Sequence, residues 1–152
     1  MKSFKEFLKE DNCLFEMAQK QGVVNKFTFY TFDNEYESHY PHVHICVKID
    51  DKNFEGKPLK NKSNLKTIGS IRINLDDNYD LNNLVFENVF DEKNMMNIQN
   101  QKIFIDWLNK PVLKNIPNYT NANKCLIDYD ISNEKYKDKL KYTKKINQIK
   151  GE

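Results

Sequence analysis

Arginine, cysteine and glycine are scarce in this sequence, and each scarcity argues against particular kinds of binding or catalytic site. Arg72 is the only arginine, which argues against sequence-specific DNA recognition because arginine is the preferred residue for bidentate contacts to phosphate and guanine. The three cysteines, Cys13, Cys46 and Cys125, include no CxxC pair, so neither a disulfide framework nor a zinc finger is predicted. With four glycines, the sequence offers no glycine loop for a phosphate, and it has no GxSxG nucleophile motif.

Long apolar runs are missing as well. Residues 1–6 mix lysine, serine and glutamate with phenylalanine, and no later stretch approaches the roughly 20 apolar residues that span a bilayer. We therefore expect a cytoplasmic protein that makes no membrane contact. No cofactor is predicted apart from the metal ion considered below.

The sequence does contain enough apolar material for a folded core. Hydrophobic residues make up 39% of the 152 residues and aromatic residues 12%, a composition typical of globular proteins. This length predicts a single domain over 1–152. We divide it into an N-terminal helical segment (1–22), a core of sheet and helix (23–110) and a C-terminal extension with a basic helix (111–152).

Alternation of apolar and polar residues predicts an antiparallel sheet. Phe27 and Phe29, for example, fall on one side of a segment rich in β-branched and aromatic residues. The predicted strands are 23–32, 42–49, 65–75 and 84–90, with a candidate fifth strand at 125–131, and the first two form a hairpin. Loops are predicted over 50–64 and 111–123, where Lys, Asn and Pro accumulate.

A change of period predicts one main helix over 94–109, which Pro111 ends. Its apolar residues, spaced for a buried helix face, are Met95, Ile98, Ile103, Ile105, Trp107 and Leu108. Ser3 is a candidate N-cap for a short N-terminal helix, and the lysine-rich last segment also has helical spacing. The predicted fold class is therefore α+β: an antiparallel sheet of four to five strands packed on one main helix, with short N- and C-terminal helices.

The three histidines of the chain, His39, His42 and His44, lie within six residues of one another. His42 and His44 are two apart on a predicted strand, so they point to the same face. Pro41 keeps the strand entry extended, which could bring His39 to that face. Converging imidazoles suit a divalent transition metal. The alternative is packing or hydrogen bonding at a strand entry, since no HExxH motif accompanies the cluster.

The histidine segment 39–44 (HYPHVH), followed by Trp107 on a helix, resembles a small uncharacterised bacterial family with a His-Pro-Pro-His-x-His strand entry. The resemblance covers residues 26–109, just over half the chain. Tyr40 stands where the family has its first proline, and Asp106 where the family has a glutamate before the tryptophan. Members of that family are commonly found beside toxin–antitoxin-like genes without a settled activity. The resemblance therefore implies a setting, mobile elements and defence, more than a chemistry.

Charge is balanced over the chain but unevenly distributed. The 24 Lys and Arg residues nearly cancel the 22 Asp and Glu residues, giving a net charge of +2. Residues 74–92 contain six acidic residues and no basic one, whereas 137–150 contain six lysines and one acidic residue. The basic segment could contact nucleic acid or an acidic partner, or it could be a solvated helix face. The candidate contacts are Lys137, Lys139, Lys141, Lys144 and Lys145.

Three functions fit these patterns. The first is a small non-enzymatic binding or regulatory protein that acts on a protein or ribonucleoprotein partner, such as an inhibitor or antitoxin-like protein in phage or mobile-element conflict. The second is a metal-dependent hydrolase or nuclease centred on the histidine cluster. The third is a nucleic-acid-binding protein that uses the lysine-rich segment. The sequence does not predict an oligomeric state.

Overall fold

The computed structural model describes residues 19–31, 41–59, 62–74 and 78–132. The predicted N-terminal helix and the lysine-rich C-terminal segment lie outside these ranges. No helix among the described residues is both long and apolar enough to cross a lipid bilayer. Strands in antiparallel sheets together with helices confirm the α+β class, although the number and the bounds of the elements differ from the prediction.

Six of the described strands form one sheet. They are β1 (Gln19–Val24), β2 (Phe27–Thr31), β3 (His42–Lys48), β4 (Lys57–Leu59), β5 (Lys62–Arg72) and β6 (Phe86–Glu87). All pairs are antiparallel, in the order β1-β2-β3-β5-β4, and β6 also pairs with β5. Since β5 is 11 residues long, β4 pairs along its first half and β6 near its end.

The predicted first strand, 23–32, is instead a hairpin of β1 and β2. The chain reverses at Asn25, whose φ of 58° lies in the left-handed region, which Asn tolerates better than most residues. The predicted N-terminal helical segment (1–22) is wrong at its end, because residues 19–22 belong to β1, where the pairing register shifts between Lys20 and Gly22. The predicted antiparallel pairing of the first two predicted strands, 23–32 and 42–49, is confirmed in the pairing of β2 with β3.

Two further boundaries differ from the prediction. The predicted loop 50–64 contains β4 and the start of β5, because Leu59 packs beside a buried cluster on the sheet and holds β4 there. The predicted strand 84–90 is reduced to the two residues of β6. Asn88 follows β6 directly with a φ of 49°, a left-handed conformation that ends the extended backbone.

Two helices replace the single predicted helix over 94–109. They are α1 (Glu92–Met95) and α2 (Ile98–Asn109). Asn97 separates them because its backbone is extended, with φ −66° and ψ 121°. Its side chain accepts a hydrogen bond of 3.0 Å from the Asn100 backbone N–H and so caps the start of α2.

The predicted loop over 111–123 is wrong, since most of it forms a small second sheet. Here β7 (Pro111–Leu113) and β8 (Ile116–Thr120) pair as an antiparallel hairpin. Pro111 ends α2 as predicted and opens β7, a strand of this two-stranded sheet, where a proline is tolerated.

The predicted fifth strand over 125–131 is also wrong, because the residues form helix α3 (Asn121–Ser132). Its buried apolar residues follow the helical spacing of three and four: Ala122, Cys125 and Leu126. The helix is joined to α2 by the Asn121 side-chain amide, which donates a 2.8 Å hydrogen bond to the Trp107 carbonyl.

One face of the large sheet carries the main core. Val43, Ile45 and Val47 of β3 are fully buried in a cluster that also contains residues of α2 and α3. The ring of Phe29 stacks on that of Trp107, with centroids 4.0 Å apart and planes at 7°. Trp107 is 4% exposed, which confirms the predicted burial of this residue against the sheet.

Candidate functional site

The opposite face of the large sheet carries polar side chains. Along β3, His42, His44 and Cys46 alternate with the core residues, so they point away from the main core. All three are buried. Directly paired residues of neighbouring strands share a face of the sheet. One residue from each of four strands therefore lies in a row across this face: Tyr30, His44, Ser70 and Glu87.

His42 and His44 meet on this face, as the sequence predicts. Their ring centroids are 4.8 Å apart, with the planes at 75°. The Nδ1 atom of His44 and the Oγ atom of Ser70 lie 3.1 Å apart and share a hydrogen bond. Arg72 is the strand partner of His42. The pair therefore offers two adjacent imidazoles, which could serve a metal or simply satisfy one another and their neighbours.

The predicted third histidine, His39, lies outside the described residues. Among the residues that the structure does describe, no group of three or more His, Cys, Asp or Glu side chains is placed to hold a metal ion. A metal at His42 and His44 therefore needs at least one ligand from elsewhere in the chain, and the predicted metal site stays a prediction.

A second candidate site, which the sequence did not predict, is a groove beside α1. It has a volume of about 780 Å³. One wall is formed by Lys52, Asn53 and Glu55, and the other by residues 89–94. Phe90, in the second wall, is 42% exposed, and its neighbour Val89 is also exposed. Exposed apolar residues that occur singly are ordinary on a protein surface, whereas adjacent ones such as Val89 and Phe90 in a groove are a candidate interaction site.

Asp91 holds the two walls of the groove together. Its buried carboxylate accepts hydrogen bonds from the Glu55 backbone N–H at 2.8 Å, the Asn94 backbone N–H at 3.0 Å and the Asn94 side-chain amide at 2.7 Å. The same Asn94 amide donates to the Asn53 carbonyl at 3.2 Å. Asp91 is thus both the N-cap of α1 and a cross-link between segments 36 residues apart.

The electrostatics of Asp91 favour the ionised form. Burial opposes ionisation, but the hydrogen bonds from Asn94 and Glu55, together with the nearby Lys93, outweigh burial and hold the pKa of Asp91 below its ordinary value. The carboxylate that joins the walls is therefore present at neutral pH.

The backbone at Phe90 is fixed to the sheet. The N–H groups of Phe90 and Asp91 both donate to the Ile68 carbonyl of β5, at 2.9 and 3.0 Å. The phenyl ring is therefore presented on an ordered backbone and not on a free loop. In the sequence, the available signal for this site is the apolar pair Val89-Phe90 directly before an N-cap aspartate, a position where apolar residues usually pack inward.

The remaining predicted site residues, Lys137, Lys139, Lys141, Lys144 and Lys145, lie outside the described residues. No protein-family model, curated protein or solved structure matches this chain. The resemblance of the histidine segment to the small bacterial family therefore stays a prediction.

Proposed function

We propose that the chain is a small non-enzymatic binding or regulatory protein that docks a protein partner in the groove beside α1. The observation that carries the proposal is the exposed ring of Phe90 on a backbone held by the sheet and by Asp91. The setting that we propose, an inhibitor or antitoxin-like role in phage or mobile-element conflict, follows from the resemblance of the histidine segment alone.

The groove has the composition of a protein interface. Interfaces are centred on a few aromatic anchors, each contributing about 2 kcal/mol or more when buried by the partner, within a polar rim. Phe90 would be the anchor. The rim carries both signs of charge, Lys52 and Lys93 against Glu55 and Glu92. Mixed charge disfavours a purely electrostatic ligand such as nucleic acid and suits a partner with its own paired charges.

Pre-organisation supports the proposal as well. Binding costs free energy when loops and side chains must be ordered. Here the two walls are already joined by the hydrogen bonds of Asp91 and Asn94 before any partner arrives. The side-chain amide of Asn100 also donates to the Asn94 carbonyl at 3.0 Å, which extends the support into α2.

Site-specific photo-crosslinking tests this function. A benzoylphenylalanine is placed at position 90 of the full chain and, as a control, at position 112, where Val112 is 36% exposed outside the groove. In extract from the organism that encodes the chain, we expect a discrete protein adduct from position 90 that unlabelled protein suppresses, and that excess Phe90→Ala protein does not. Equal adducts from positions 90 and 112 would reject the groove as the docking site.

A metal-dependent hydrolase or nuclease is the second candidate, because His42 and His44 meet on one face. Elemental analysis of protein purified without a metal-affinity tag tests this function. Stoichiometric zinc, iron or copper that is lost in His44→Ala supports it, and metal-free protein with no hydrolytic activity on added zinc rejects it.

A further inference from the structure

Two lysines lie at the outer end of the polar face. Thr28 pairs with Cys46 in the ladder of β2 and β3. Lys26 lies in the turn between β1 and β2, and Lys48 is the last residue of β3, so both lie at the same end of this strand pair. Both are exposed, and neither makes an ion pair within the described part of the chain. Like charges that line one cavity repel each other, so an anion between them would remove a repulsion.

The two lysines line an open cavity of about 650 Å³, within the usual size range of small-molecule sites. One carboxylate, that of Asp51, also lines it, so the charge of the lining is two positive against one negative. That carboxylate is partly engaged by its own loop, because it accepts a 3.0 Å hydrogen bond from the Asn53 backbone N–H. The excess positive charge therefore stays available to a ligand.

The rest of the lining divides into polar and apolar parts. The amides of Asn25 and Asn64 and the hydroxyl of Thr28 can donate hydrogen bonds, whereas Val23 and Leu65 offer an apolar surface. A bare inorganic anion would use the lysines but would leave most of the volume and the apolar surface unfilled. A ligand that combines an anionic group with a larger body fits the whole lining.

We propose that this cavity binds a phosphate ester of about mononucleotide size, with its phosphate between Lys26 and Lys48 and its body against Val23 and Leu65. The proposal does not rest on the docking function above, because this cavity and the groove beside α1 share no lining residue. It assigns the chain a small-ligand site on the opposite side of the sheet from the main core.

The test is a titration of the ¹⁵N-labelled full chain, followed by NMR, with AMP, adenosine and inorganic phosphate as separate probes. We expect AMP to shift the amide signals of Lys26, Thr28 and Lys48 at lower concentration than either other probe. Lys26→Gln and Lys48→Gln should each weaken AMP binding by up to about fivefold, the upper end of the range for one exposed charge contact. Lys57→Gln, an exposed lysine of β4 outside the cavity, should leave AMP binding unchanged.

Several results would overturn the proposal. Unmoved signals at about 10 mM AMP would exclude binding in the useful range. If adenosine binds as tightly as AMP, the phosphate group does not contribute to binding. If inorganic phosphate binds as tightly as AMP, the larger body of the ligand does not contribute. Thermal melts give an independent check on the repulsion. Without ligand, Lys26→Gln and Lys48→Gln should keep or raise Tm, and a lowered Tm in both variants would mean that the lysines already have native partners.

Discussion

Replacing Trp107 with alanine should remove a large part of the stability of the fold. Trp107 is 4% exposed and its ring stacks on Phe29 with centroids 4.0 Å apart. Truncating a core tryptophan costs about 3–5 kcal/mol, and loss of a stacked aromatic pair adds about 0.5–1.5 kcal/mol beyond the buried area. The side chain also reaches the backbone of β1, since Nε1 lies 3.2 Å from the place where a Cβ on Gly22 would be. We therefore expect a loss in the upper part of that range, about 4–5 kcal/mol.

Urea unfolding followed by far-UV circular dichroism measures this loss, because the variant has no tryptophan fluorescence. Ile98→Ala is the matched control on the same helix. Ile98 was predicted on the buried face but is 58% exposed, so this change should alter stability by no more than about 0.5 kcal/mol. If Trp107→Ala does not fold, Trp107→Phe keeps an aromatic ring against Phe29 and should show an intermediate loss. A loss below about 2 kcal/mol in Trp107→Ala would refute the stacking argument and the register of α2.

Three further predictions concern the backbone, the groove and the basic segment. Gly56→Ala should destabilise more than Gly69→Ala in urea unfolding, because a Cβ at position 56 would lie 2.5 Å from the rigid carbonyl oxygen of Thr67, whereas at 69 it would meet a flexible methionine side chain at 2.9 Å. Because the pKa of Asp91 is lowered in the folded state, its contribution to stability is present above about pH 4 and is lost as pH falls through the folded pKa. When the free energy of unfolding is plotted against pH, Asp91→Asn should therefore reduce the fall on the acid side. Deleting residues 134–152 should lower the melting temperature. If the melting temperature is instead unchanged, and the full chain binds RNA or DNA tightly and in a salt-sensitive way that the deletion abolishes, the nucleic-acid function is supported.

The parts of the fold that the sequence predicts are those set by local burial. The alternation in β3 places His42 and His44 on one face and Val43 and Ile45 on the other, and the structure has them so. Trp107 is likewise recognisable from helical spacing alone. In these segments the face on which a residue lies decides whether it is buried, so the apolar period of the sequence matches the burial seen in the structure.

The elements that were missed depend on single residues or on competing signals. The run of β-branched and aromatic residues from Val23 to Thr31 is interrupted only by Asn25 and Lys26, and the left-handed tolerance of Asn is the signal that marks the turn there. In α3, the isoleucines and the cysteine suggest a strand, whereas the spacing of Ala122, Cys125 and Leu126 carries the helical signal that the structure follows.

The groove beside α1 could not be predicted from the sequence for a different reason. It exists because Asp91 bonds to the backbone of Glu55, a contact across 36 residues. Such a contact is set by how β5 places the two loops, and no local pattern encodes it. Phe90 by itself looks like a core residue, and its exposure follows from the anchoring of its N–H to Ile68.

The central claim, that Phe90 anchors a protein partner, is tested most directly by calorimetric titration with the partner identified by crosslinking. Phe90→Ala should change the melting temperature little, because Phe90 is 42% exposed and is not part of the main core cluster. It should weaken binding about 30-fold or more, the equivalent of about 2 kcal/mol. Val112→Ala is the exposed control and should bind as the unmodified chain does. Unchanged affinity in Phe90→Ala, with the fold intact, would contradict the proposed docking site.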